Sequence, residues 1–112
     1  MRQVNDNIIP VQAAVTITTA AIPALNLFYM SAQIAATGSA AGTLKFQASN
    51  DVPVAANAVP TNWSDIPSAT VSVSGSGAYL IPKTDVCYEW VRLVYANSGA
   101  GTISVVFKAI GA

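Results

Sequence analysis

Apolar and polar residues alternate with a period of two along almost the whole chain, in segments rich in Val, Ile, Thr and aromatics, and no stretch carries a convincing helical period. A chain patterned in this way can bury its apolar side chains only by packing one sheet face against another. Seven or eight short strands, punctuated by Gly, Asn and Pro, therefore predict an all-β fold: a single antiparallel β-sandwich. A jelly-roll-like arrangement is preferred over an immunoglobulin-like one, because Cys87 is the only cysteine and the Cys, Trp, Cys spacing of antibody domains is absent. A chain of 112 residues has room for one such domain and can bury enough apolar surface to fold without staples.

Residues 1–24 read as an extended N-terminal arm with a first strand, and residues 25–112 as the sandwich itself. In the arm Val11, Ala13, Val15 and Ile17 fall on one side, opposite Gln12, Thr16 and Thr18. The next run, Leu25 to Ala36, groups Phe28, Met30, Ala32 and Ile34. Thr43 to Ser49 turns Leu44, Phe46 and Ala48 inward and Lys45 and Gln47 outward. Val52 to Thr61, rich in Pro and Ala, reads as a long surface loop. Two short strands are expected near Trp63 to Ile66 and Ala69 to Ser74, and an extended piece from Tyr79 that Pro82 ends. Tyr88 to Tyr95 and Thr102 to Ile110 are the clearest strands, the second placing Ile103, Val105, Phe107 and Ala109 on one face.

Charge narrows the function classes. Only 9% of residues are charged and 53% are apolar, and five Lys and Arg balance five Asp and Glu. A free soluble monomer relies on interspersed charge, so a surface this neutral is expected to be covered by neighbours in a homo-oligomer or larger assembly. Nucleic acid is excluded as a partner on the same ground, because the five cations are scattered singly and form no basic stripe. The apolar stretch Ile8 to Ala36 is broken by Pro10 and Pro23 and by recurring Gln, Thr and Asn, so neither a signal core nor a spanning helix is expected and no membrane role follows. A single cysteine fits assembly in a reducing cytoplasm.

Little in the chain promises catalysis. Histidine is absent, which removes the commonest general base and metal ligand. Cys87 lies between Asp85 and Glu89, a negative setting unsuited to a nucleophile, and is expected to be a buried or half-buried structural thiol. Asp51 and Asp65 read as turn or strand-end acids. With Asn50 and Asn62 they would offer oxygen ligands for calcium only if the long loop folded back, and the acid-rich spacing of a dedicated site is missing. No cofactor or metal is expected. Arg92 stands out in the middle of an apolar strand and must be satisfied. The structural reading pairs it with Glu89, Asp65 or Asp51 and stacks it on Trp90; the alternative makes it an intersubunit or ligand contact. Trp63, beside the long loop, is the better candidate for an exposed aromatic, so Trp63, Asn62 and Asp65 form the candidate interaction or ligand edge, while Trp90 is expected to fill core.

The order Gly42-Thr43-Leu44-Lys45-Phe46-Gln47-Ala48-Ser49-Asn50-Asp51, Asn62-Trp63-Ser64-Asp65-Ile66, Gly75-Ser76-Gly77-Ala78-Tyr79-Leu80, Trp90-Val91-Arg92-Leu93-Val94-Tyr95 and Ser98-Gly99-Ala100-Gly101-Thr102 resembles a group of small β-sandwich virion proteins of tailed bacteriophages, associated with capsid or tail. The resemblance spans about Gly42 to Lys108 and rests on turn and strand motifs, which mark a fold more than an activity. The chain departs from the group at Val52 to Thr61, inserted where the group makes a tight turn. The resemblance implies a virion structural protein, assembled in the host cytoplasm, with shell or tail subunits as partners and no catalytic residues. A capsid decoration, cement or minor capsid role is the leading expectation. A carbohydrate- or receptor-binding module of a tail or fibre, with a glycan at the Trp63 edge, is the alternative.

Overall fold

The computed structural model describes residues 2–52 and 59–111. Among the described residues nine strands run β1 (Arg2–Ala13), β2 (Ile17–Thr18), β3 (Ile22–Pro23), β4 (Leu27–Thr37), β5 (Ala41–Ser49), β6 (Ser64–Ser74), β7 (Gly77–Asp85), β8 (Trp90–Asn97) and β9 (Thr102–Gly111). They form two antiparallel sheets, one ordered β1-β9-β4-β7 and the other β2-β8-β5-β6 with β3 also on β8. Each sheet interleaves strands from the two ends of the chain, which is the jelly-roll arrangement of two packed Greek-key sheets.

The inward positions come straight from the period of two. Leu44, Phe46 and Ala48 on β5, Val91, Leu93 and Tyr95 on β8, and Ile103, Val105, Phe107 and Ala109 on β9 are all buried. Between the sheets Phe46 meets Phe107 edge-on, with ring centroids 6.0 Å apart and planes at 70°, the arrangement that the ring quadrupoles favour. Tyr95 keeps its polar end satisfied inside this core by donating to the Ala41 carbonyl (3.1 Å). Among the described residues no buried side-chain polar atom lacks a partner.

Five local expectations change. The segment read as an extended N-terminal arm is built into the sandwich: β1 lies along β9 of its own chain from Arg2↔Gly111 to Ala13↔Thr102. The polar Asn5-Asp6-Asn7 is carried within β1 because β9 offers it backbone partners. Register shifts on either side of Ile9 bury that residue and leave Val11 73% exposed, so Val11 and Val15 do not share a core face with Ile17. A second irregularity, between Leu27 and Tyr29 opposite β9, turns Leu27 and Met30 inward and leaves Phe28 53% exposed, because one extra residue inverts the alternation. Trp63 to Ser74 holds a single strand, β6, that bends around Pro67 and Ser68, the latter at φ 63°. Finally, β7 continues through Pro82 to Asp85. It does so because β7 is an edge strand, where a missing N–H breaks no ladder bond.

That last point is general here. Pro10 on β1, Pro82 on β7, Pro67 on β6 and Pro23 on β3 put a proline on every one of the four sheet edges. Interrupted edges resist pairing with strands of other chains, which leaves the sheet faces as the broad surfaces available for contact.

Candidate functional site

On the outer face of the five-stranded sheet, β5, β6 and β8 bring five side chains into one row. Arg92 lies opposite Gln47 in register, and its Nε donates to Gln47 Oε1 (2.8 Å). Gln47 Nε2 in turn donates to Asp65 Oδ1 (2.9 Å), and Lys45 Nζ donates to Asp65 Oδ2 (3.1 Å). The hydrogen bond from Gln47, then that from Lys45, holds the Asp65 carboxyl below its usual range. The Arg92 guanidinium stacks 4.2 Å from the Trp63 ring centroid.

The expected pairing of Arg92 with Glu89 and Trp90 is thus replaced by Gln47 and Trp63. Glu89 lies in the bend just before β8, where its backbone N–H donates to Asn50 Oδ1 (3.1 Å), and among the described residues it makes no salt bridge. Trp90 shares the outer face with Arg92 and is partly exposed, not core, but its Nε1 donates to the Asp51 carbonyl (3.1 Å). Trp63 is pinned similarly, by Nε1 to the Pro60 carbonyl (3.2 Å). With one indole face under Arg92, Trp63 is a poorer sugar platform than an open ring. The edge foreseen as Trp63, Asn62 and Asp65 is divided between this row and the groove beside it.

That groove, about 400 Å³, lies at the base of the loop expected over Val52 to Thr61, of which residues 53–58 lie outside the described residues. Asn50, Asn62, Ser64 and Tyr88 line it, with Asp51 at its root. Asp51 accepts hydrogen bonds from the backbone N–H groups of Thr61 (2.8 Å) and Asn62 (3.0 Å) and from Asn62 Nδ2 (3.0 Å), so one carboxylate ties both ends of the loop together. The side-chain bond from Asn62 is the main reason its carboxyl sits below the usual range, followed by the two backbone bonds. These donors occupy the oxygens that calcium would need, and Asp65 is turned to Lys45 and Gln47. Among the described residues no group of three acidic, histidine or cysteine side chains converges on a metal position.

The Asp51 knot makes a pH prediction. A carboxyl whose folded value is depressed favours the folded form above the unfolded value, near pH 4. That contribution is lost as pH falls through the lower folded value. Amide exchange at Thr61 and Asn62, relative to an unstructured reference, should be slow near neutrality, speed up below pH 4, and be fast at all pH values in Asp51→Ala. Unchanged protection in that variant would show that the carboxylate does not hold the loop.

The outer face of the four-stranded sheet is different in kind. From Tyr29 onward the odd-numbered residues of β4 point outward, so Gln33 lies between Leu80 of β7 and Val106 of β9, and Tyr29 lies beside Ile110. Leu80 is 56% and Val106 40% exposed. A groove of about 330 Å³ runs across this face, walled by Tyr29, Leu80, Pro82 and Ile110. Lys83 and Lys108 also line it, and Lys83 Nζ sits 4.4 Å from the Tyr29 ring centroid. Sequence reading missed this constellation, since its members are far apart in the chain and only the register of β4 with β7 and β9 assembles them. Cys87, expected to be buried or half-buried, is exposed after β7, beyond the last inward position of that strand.

The whole arrangement is similar to that of PirA, known from a crystal structure. The likeness has a TM-score of 0.62 over 91% of this chain and 94% of PirA, at 15% identity. Identity this low bears on the fold alone. No protein-family model matches the chain, and no curated protein sequence matches it.

Proposed function

We propose that this chain is a virion structural protein of a tailed bacteriophage, a capsid decoration, cement or minor capsid subunit that acts by packing a sheet face on neighbouring virion proteins and not by catalysis. The observation that carries this reading is the outer face of the four-stranded sheet, where Leu80, Val106 and Tyr29 stand exposed on one face. Exposed apolar area of this kind is the usual mark of a contact surface. The proline on each sheet edge favours contact through faces over strand addition. The absence of histidine and the balanced, sparse charge agree with a role that needs no ionisable machinery.

The test is a double substitution, Leu80→Lys with Val106→Lys. Both side chains are exposed, so stability should change by only about 0.5 kcal/mol. Wild-type protein should co-sediment with phage particles or their shell or tail subunits, and the variant should stay in the supernatant. A wild-type chain that remains monomeric and binds none of these components removes the proposal.

A second reading, a glycan-binding module of a tail or fibre, is favoured by the groove at the loop base. Asn50, Asn62 and Ser64 supply planar amides and a hydroxyl beside the Tyr88 ring, the mixture of polar groups and aromatic wall suited to a neutral sugar. This places the binding edge at Tyr88 and Asn62 instead of Trp63. Glycan-array binding that vanishes in Tyr88→Ala and survives in Trp63→Ala would select it over packing.

A further inference from the structure

We propose that the groove across β4, β7 and β9 is a binding site for a small organic carboxylate with a compact apolar body, such as a medium-chain fatty acid or an arylalkanoic acid. This goes beyond the packing role and concerns the free chain, in which the groove is open.

Two features of the groove define the ligand. Its walls are Tyr29, Leu80, Pro82 and Ile110, while Met30 and Ala109 face the core and contribute backbone. An apolar body is therefore what the walls would shield from water, and a volume of about 330 Å³ is at the small end of ligand pockets, roughly 300–1,000 Å³. The polar groups are of one sign. Lys83 and Lys108 both line the groove and no carboxylate does. Among the described residues neither lysine makes a salt bridge, the one such pair being Lys45 with Asp65.

A neutral ligand would return to the two ammonium groups at most uncharged hydrogen-bond acceptors, and a cationic one would meet like charge. A carboxylate answers both, because each ammonium can donate to it a charge-assisted hydrogen bond. Ser31, which also lines the groove and lies opposite Lys108 in register, adds a hydroxyl donor. Lys83 is already held over the Tyr29 ring, so one ammonium is placed before the ligand arrives and less side-chain entropy is lost on binding.

The experiment is an amide chemical-shift titration of the full chain with millimolar octanoate, 1-octanol and octylammonium in parallel. Octanoate should give saturable shifts confined to Tyr29, Ser31, Leu80, Lys83, Lys108 and Ile110, with little response to the other two probes. In Lys83→Gln/Lys108→Gln, whose sites are exposed and leave the core untouched, octanoate affinity should fall about fivefold or more. Lys83→Arg/Lys108→Arg should restore most of it. Equal binding of octanol, octanoate shifts scattered over the surface, no saturable shift, or affinity unchanged in the Gln pair would each overturn the proposal. None of these results alters co-sedimentation with particles, so the packing role is judged separately.

Discussion

Phe46→Ala is expected to lower the unfolding free energy by about 4 kcal/mol, within the roughly 3–5 kcal/mol typical of emptying a buried aromatic position. Phe46 has no exposed surface and lies on β5, while its edge-on partner Phe107 lies on β9 of the opposite sheet. Removing the ring therefore opens a cavity at the seam between the two layers and strips Phe107 of the contact that orients it. A domain of this size has about 5–15 kcal/mol of stability in total, so the loss is a large share and should lower Tm by roughly 15 °C. Urea unfolding measures it directly, as a fall in midpoint at constant slope. The control is Phe28→Ala: the same truncation on β4 at a side chain that the irregularity beside Leu27 turns outward, where about 0.5 kcal/mol is expected. Similar losses at the two positions would contradict the inward and outward assignment on which the account of β4 rests.

Gly101→Ala should be nearly as damaging, by about 3–5 kcal/mol, for a reason that has nothing to do with apolar burial. Gly101 adopts φ +87°, and a Cβ there would fall 2.0 Å from the Thr37 carbonyl oxygen, well inside van der Waals contact with backbone that cannot swing away. The same residue's carbonyl accepts the Ala14 N–H (3.0 Å), and the next residue pairs its hydroxyl with that of Thr37. A shift of the turn thus disturbs β1, β4 and β9 together. Gly75→Ala separates the two contributions. It has a similar φ, +85°, but open space around the Cβ position, so only the left-handed strain of about 1–2 kcal/mol applies. Thermal unfolding of the two variants side by side checks the difference. An equally mild effect at both positions would mean that the approach of Thr37 is not obligatory.

The sequence was most legible where structure depends on nearest neighbours. Thr43 to Ser49 and Thr102 to Ile110 alternate without interruption, and the inward residues read there are the ones buried in β5 and β9; Tyr88 to Tyr95 was legible as a strand, but Trp90, expected in the core, faces outward. That Arg92, a lone charge in an apolar strand, must find a partner was equally readable. Its partner was not. Gln47 lies 45 residues away, and Trp63 reaches Arg92 only after β6 has turned back along β5. Asp51 and Asn62 were legible as loop residues, yet their mutual bond, which closes the loop base, joins positions 11 residues apart.

What the chain determines alone is its class: strict alternation, abundant turn residues and the lack of any helical stripe admit only packed antiparallel sheets, and the positions of most turns follow from Gly, Asn and Pro. Tertiary structure decided the rest. Whether Pro82 stops a strand or rides on a sheet edge, whether Phe28 is core or surface, and whether residues 2–13 dangle or form β1 all depend on which strand lies alongside. The physical reason is that alternation is a property of consecutive residues, whereas register, bulges and edge position are set by hydrogen bonds to a partner far away in the chain.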